Sequence, residues 1–310
     1  MKNRALFMFG SILGVMALLM FGCQKSTEPE GVFTDADKAE IQSSIEGDPL
    51  FSGDANSLND DGTGMTMGKT ETPILPRAWG RRITSVTRNV SYDNQNDSTV
   101  VATVNVTITG NVIIRGKYQP QDTLSTFTKP FEEKLTRIIK FYRNRLNVGR
   151  RWVAREVSAV KGGTTGSLVT ITQIRVFMGT DTLTITDPLN YFLKLGKFGG
   201  REIPSLLASF LQPIKLQVSV TSADPDTDIV ALHRPYLALM AGMFKPVAVR
   251  MNMTSQTLNG STYTRVYEQS WVGLVPGRHH VFVSALTRSS IFDDIATFSS
   301  QLWGMPYIVN

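Results

Sequence analysis

Between Thr99 and Thr109 the chain alternates with a two-residue period. Val100, Ala102, Val104, Val106 and Ile108 share one parity, and Thr99, Thr103, Asn105, Thr107 and Thr109 share the other. Successive side chains of a strand point to opposite faces, so this stretch must be a strand with one apolar face. Val101 is the one exception on the polar face. The same parity recurs in Val86, Val90 and Tyr92, ahead of a turn over Asp93 to Asp97, and in Val169, Ile171, Ile174 and Val176. Met178 to Asp181 then turns the chain into Leu183-Thr184-Ile185. From Ile214 onward, short strands are expected at Leu216 to Val220, Ile229 to Ala231, Val247 to Met251, Tyr263 to Trp271 and His280 to Ser284. Turns fall at Asp224-Pro225, Asn259-Gly260 and Pro276-Gly277. The fold class is therefore mainly β, or α+β.

Helix signals are few. Thr34 to Asp37 offers capping residues, and Ile41 and Ile45 stand four apart, which predicts a helix over about 35–46 ended by Gly47-Asp48-Pro49. Residues 52–76 are rich in Gly, Asn, Asp and Thr, which predicts a long exposed, flexible loop. Gly110-Asn111 is expected to break the strand before it. The stretch 129–146 fits two periods. Phe131, Leu135, Ile138, Tyr142 and Leu146 make a helical stripe, but Leu135, Ile139 and Phe141 against Ile138 and Tyr142 suit a strand, which is the reading taken. Pro204 to Leu211 reads as a short apolar helix in a connector over 188–213. Trp303 to Val309 reads as a final strand or an exposed edge.

The order helix then curved sheet over 34–187, with a Trp ahead of alternating strand residues, resembles NTF2-like or cystatin-like α+β domains. The strand spacing over 214–310 and the turn Pro276-Gly277-Arg278-His279-His280-Val281 resemble an immunoglobulin-like sandwich, without the cysteine pair of the antibody form.

Lys2 and Arg4 precede a wholly apolar or small run from Ala5 to Gly22, an export-signal pattern long enough for a retained anchor also to be weighed. The run ends Leu19-Met20-Phe21-Gly22-Cys23, and Cys23 is the single cysteine of 310 residues. A small residue directly before a cysteine resembles the lipobox of bacterial lipoprotein signal peptides, although Met20 and Phe21 replace the usual Leu and small residue. The resemblance implies that residues 1–22 are removed, that Cys23 is acylated, and that residues 23–33 tether the body to a lipid bilayer. Gln24, in place of Asp, implies the outer membrane under the sorting rule of some Gram-negative bacteria. With Cys23 the sole thiol, no internal disulfide is possible and the body is held by its cores.

The formal charge of +6 is unevenly spread. Residues 24–76 carry three Lys and eleven acids, −8; residues 77–161 carry sixteen Lys/Arg and six acids, +10; residues 162–310 carry eleven and nine, +2. Arg137, Lys140, Arg143, Arg145, Arg150, Arg151 and Arg155 form the densest part of the basic segment. They are either a solvated face offset by the acidic arm or a patch for an anionic envelope partner such as lipid headgroups or a wall polymer. Nucleic acid is not expected in that compartment.

Chemical motifs are weak. Gly62 to Thr70 misses the phosphate-loop spacing. Asp224, Asp226 and Asp228 begin like a calcium loop, but Ile229 and Pro235 stand where Gly and Glu are needed, so an acidic inter-strand turn is expected. His279 and His280 would face opposite sides of a strand and His233 lies far off in sequence, so surface or half-buried histidines are expected, and no metal or cofactor. No catalytic residues are singled out. The sequence points to a non-catalytic binding or scaffolding lipoprotein of the cell envelope with an anionic or protein partner. The alternative is an envelope-polymer hydrolase using carboxylates in a pocket of the first domain.

Overall fold

Asp35 to Gly47 form helix α1, with Asp35 and Asp37 in the first turn, where the helix dipole favours negative charge. Ile41 and Ile45 project on one side and are fully buried. Asp48 then accepts from the Leu50 backbone N–H and caps a short helix α2 (Pro49–Ser52), with Pro49 in its first turn. Gly53 leads into α3 (Asp54–Leu58). The computed structural model describes residues 33–60, 73–118, 123–144, 150–179, 181–195, 207–208, 212–238, 243–272 and 277–309.

The expected exposed loop over 52–76 is thus corrected at its start. Ser52 ends one helix and Asp54–Leu58 form the next, Leu58 is fully buried, and Asp54 and Asp60 are buried too. These acids look like solvent-seeking turn residues, but the Arg137 guanidinium draws Asp54 inward. Residues 61–72 lie outside the described residues.

Three long antiparallel strands follow: β1 (Ile74–Asn96), β2 (Thr99–Tyr118) and β3 (Thr123–Arg143). The alternation that opened the reading holds, since Val100, Ala102, Val104, Val106 and Ile108 are all buried. Gly110 does not break β2. It pairs with Ile83 beside a register shift at Thr84, and a Cβ there would lie 2.4 Å from the Arg82 carbonyl oxygen, so the glycine permits a close approach within a strand that runs on unbroken. The segment from 129 is a strand as far as Arg143. Val86 of the expected β1 face is exposed.

The remaining strands are β4 (Trp152–Ser158), β5 (Val160–Gly163), β6 (Val169–Met178), β7 (Asp181–Ile185), β8 (Phe192–Lys194), β9 (Leu207–Ala208), β10 (Pro213–Ser222), β11 (Ile229–Ala238), β12 (Met243–Arg250), β13 (Asn252–Asn259), β14 (Thr262–Val272), β15 (Gly277–Leu286) and β16 (Ser300–Val309). A 3-10 turn, Pro188–Asn190, and a one-turn helix α4 (Ser289–Phe292) complete the described elements. Of the expected helix over Pro204 to Leu211, only Leu207–Ala208 is described, and it pairs with β16 as a short parallel strand.

The protein is mainly β, with two curled sheets. One has eleven strands, in the order β1-β2-β3-β5-β16-β15-β11-β12 with β4, β8 and β9 alongside; the other has five, in the order β13-β14-β10-β6-β7. Residues 35–310 form one compact unit. The sheets do not divide at the 188–213 connector. β6 and β7 pair into the same sheet as β10 and β14, while β16 sits between β5 and β15. The reason is that β16 is buried on both faces, so the C-terminal strand needs N-terminal neighbours to cover it. Its Gln301 side chain accepts from the Ile171 N–H of β6, and Ser300, of the other parity, donates to Glu133 of β3.

The larger sheet curls around the helices. α3 touches β1 at one end of the strand order and β11, β12 and β15 towards the other, and the Asp60 backbone bridges to Arg81 of β1. Among the described residues no helix is long and apolar enough to cross a membrane. Leu58→Ala should lower stability by about 2–5 kcal/mol, the cost of a core truncation. Urea denaturation measures it, and an unchanged midpoint would mean that residues 52–60 are not packed.

Candidate functional site

Once residues 123–143 are a strand, parity decides which of their charges face inward. Lys129, Phe131, Glu133, Leu135, Arg137, Ile139 and Phe141 make up the buried side of β3. Three charges therefore lie on an apolar face, and each has a dedicated partner. This is the signal that the sequence reading missed.

Arg137, placed in the anionic-partner patch, is only 1% exposed. Its Nη2 donates to Asp54 Oδ1 at 2.5 Å and its Nη1 donates to the Leu50 carbonyl. Burial is the largest influence on both groups: it pushes the Asp54 carboxyl up and the Arg137 guanidinium down, against their mutual attraction. His280 of β15 stands beside them, with Nδ1 3.7 Å from Asp54 Oδ1.

A second cluster lies further along the same face. Arg81 Nη1 donates to Glu133 Oε2 at 2.7 Å, and the Ser300 hydroxyl donates to Glu133 Oε1 at 2.5 Å. The Arg81 guanidinium lies 5.7 Å from the Phe131 ring centre and 5.3 Å from that of Phe298, and the two rings pack against each other at 5.6 Å. His233 Nε2 is 2.8 Å from Ser284 Oγ, and its Nδ1 is 4.0 Å from Asp60 Oδ2. Lys129, the third inward charge, donates to the carbonyls of Ser289, Asp293 and Ala296 and ties α4 and the turn after it to β3.

The other patch residues divide. Lys140 pairs with Glu156 at 2.8 Å and lies over the Phe192 ring. Arg151 pairs with Asp37 of α1 at 3.1 Å, and Arg150 donates to Ser44 of the same helix. Arg143 and Arg155 are half-buried. Arg145 and Cys23 lie outside the described residues, as does the run Gly62 to Thr70. The patch is therefore not one face: part of it holds the acidic N-terminal segment. Asp48 faces Arg278 at 3.5 Å, Ser52 offers its carbonyl to Arg88, and Asp37 and Glu40 accept from Trp152 Nε1 and backbone N–H.

The histidine expectation is corrected for two of three. His233 and His280 are buried on the helix side of the larger sheet, whereas His279 is half-buried with its ring 5.5 Å from Tyr307. In the Asp224–Asp228 turn, Asp228 is buried and paired with Arg265 at 2.6 Å, and Arg265 also donates to the Asp224 and Pro225 carbonyls. The turn is clamped by a guanidinium. Among the described residues no three His, Cys, Asp or Glu side chains gather in a metal-binding group.

Chemically, these interior acids are set for ion pairing. Asp54 is 3% exposed and Glu133 fully buried, and both Glu133 oxygens are engaged. No protein-family model, curated protein or solved structure matches this chain.

Two outcomes follow. Arg137→Met leaves Asp54 buried without its counter-charge and should cost about 3–5 kcal/mol in denaturant unfolding, more than Lys140→Met at its half-exposed pair. Burial also holds both His233 and His280 well below the ordinary 6.5, aided by Arg81 at the first and by Arg137 and His279 at the second. Below about pH 6.5 the unfolded chain then binds more protons than the folded one, so stability falls as pH drops, by up to about 1.4 kcal/mol per pH unit for each histidine. Asp54, raised in the fold, works the other way at lower pH. Unfolding midpoints from pH 7.5 to 5.5 should fall in the native chain and fall less in His233→Gln. Equal slopes would contradict the assignment.

Proposed function

We propose that this chain is a bacterial envelope lipoprotein, held on a lipid bilayer through acylated Cys23 and located at the outer membrane, with a non-catalytic binding or scaffolding role towards a protein or anionic partner. The single observation that carries attachment is the sole cysteine of the chain standing directly after an apolar leader. Two or more acyl chains hold a protein firmly where one would be marginal.

The non-catalytic reading is supported by the state of the interior acids. A hydrolase of envelope polymers would need convergent carboxylates that a substrate can reach. Asp54 and Glu133 are instead buried against arginines. The outer faces are left as working surface, including the basic side chains of Arg143 and Arg155. A helix lying on a curved antiparallel sheet supports the NTF2-like or cystatin-like reading of the N-terminal half. A second antiparallel sheet packed through β6 on β15 and β16 supports a sandwich-like reading, though one whose strands come from both halves of the chain.

Cys23→Ser should abolish incorporation of labelled fatty acid and release the protein from the membrane fraction; undiminished labelling would refute the anchor. If an anionic partner is bound, retention on anionic liposomes or wall polymer should fall steeply between low and physiological salt. Retention that ignores salt would leave a protein partner as the reading.

A further inference from the structure

The ends of the two sheets differ in how they are protected. Strand edges carry free backbone donors and acceptors, and natural edges are blunted with charge, proline or a covering segment. β1 carries Arg82 and Arg88 and is bridged by Asp60, β12 contains Lys245, Pro246 and Arg250, and β7 begins with Asp181. β13 has none of these. Its sequence, Asn-Met-Thr-Ser-Gln-Thr-Leu-Asn, is uncharged and free of proline and glycine. Every one of its residues is exposed, on both faces, and among the described residues it pairs only with β14.

The strand also matches its own reverse. Its pairing with β14 runs Asn259↔Thr262, Leu258↔Tyr263, Thr257↔Thr264, Gln256↔Arg265, Ser255↔Val266, then Met253↔Tyr267 and Asn252↔Glu268. Thr254 is skipped as a bulge. Without the bulge, Met253 and Leu258 would point to opposite faces; with it they share the face of Tyr263, Arg265 and Tyr267. They are also two of the few large apolar side chains left exposed, at 43% and 54%. Laying a second β13 antiparallel beside the first, with a two-fold axis at Gln256, keeps every facing pair on a common face. Gln256 faces Gln256, Thr257 faces Ser255 with Thr254 again the bulged residue, Leu258 faces Met253, and Asn259 faces Asn252. Each pair is chemically like with like, and no charge opposes another. Apolar pairs and hydroxyl pairs are the facing combinations that stabilise antiparallel strands.

We propose that β13 is a homodimerisation edge: two copies of the chain pair β13 to β13 about a two-fold axis at Gln256, joining their five-stranded sheets into one continuous sheet. An isologous contact of this kind closes on itself and leaves no β13 edge for a third copy. The two Met253–Leu258 pairs supply the apolar contact. Arg265 Nε, donating to Gln256 Oε1 at 2.7 Å, fixes the side chain that lies on the axis. A single strand pair covers less than the ~1,600 Å² of a standard interface, so the dimer depends on concentration.

Cysteine cross-linking tests the register directly, because Cys23 is the sole native cysteine. In the full-length chain carrying Cys23→Ser, Gln256→Cys should form a disulfide-linked dimer under mild oxidation, since residues facing across the axis approach within disulfide reach. Asn259→Cys alone should stay monomeric, because it faces residue 252 of the other copy. The combination of Asn252→Cys with Asn259→Cys should cross-link, which gives a second readout that leaves the Arg265–Gln256 contact untouched. Leu258→Lys, on an exposed position, should abolish both cross-links and the concentration-dependent rise in mass seen by sedimentation, with the circular dichroism spectrum unchanged. A monomer at all concentrations with no cross-link overturns the proposal. So does cross-linking at Asn259→Cys as fast as at Gln256→Cys, which would mean random collision.

Discussion

The ion pair between Asp54 and Arg137 is the contact on which the larger sheet's arrangement depends. Arg137 lies on the apolar side of a central strand, where an unpaired guanidinium would be prohibitively costly. Its counter-charge comes from a five-residue helix some eighty positions earlier in the chain. The sheet can therefore bury that face only when residues 48–60 are in place. The neighbouring contacts repeat the logic, with Asp48 at Arg278, the Leu50 carbonyl at Arg137, and Asp60 at His233 and the Arg81 backbone. Acids and carbonyls of the N-terminal segment meet a row of basic side chains that spans β1, β3, β11 and β15.

This docking gives the uneven charge of the chain a physical account. The acidic stretch and the basic stretch are partly neutralised against each other, through Asp54 with Arg137 and Asp37 with Arg151. Arg150 and Arg151, which look like members of a surface patch, reach Ser44 and Asp37 of the first helix. What remains for an external anion is a smaller set of half-buried arginines near the start of β4. Because the interior pairs are closed to solvent, they serve folding. On the outside, β13 stands out as the sheet end that carries neither charge nor proline.

Much of the local structure was legible in the residues. The first helix and the alternation of β2 follow from periodicity, because a two-residue or 3.6-residue repeat is a direct consequence of backbone geometry, whereas 129–143 fits both periods and the final strand shows only as an apolar run. Two local signals misled. Gly110 reads as a breaker, yet it lies where two strands come too close for a side chain. Asp54 and Asp60 read as loop residues, yet both are buried, Asp54 as the counter-ion of Arg137. In both cases the deciding partner is remote in sequence: Arg82 and Phe131 for the glycine, Arg137 and His233 for the acids. The interior charges could have been found earlier from the parity of Lys129, Glu133 and Arg137 on β3, since a strand that buries Phe131 and Leu135 must bury them too.

By itself the sequence determined that this is a mainly β chain, that it has no internal disulfide, and that its one cysteine follows an apolar run, because these depend on neighbouring residues and on composition alone. Only the tertiary structure decided that β6 and β7 share a sheet with β10 and β14, that β16 lies at the centre of the larger sheet, and that the acidic segment is its counter-charge. Those are choices among partners that stand dozens of residues apart in the chain, as for β6 with β10, or well over a hundred, as for β16 with β5. They are fixed by which faces must be covered and which buried charges must be paired, and no local pattern carries that information.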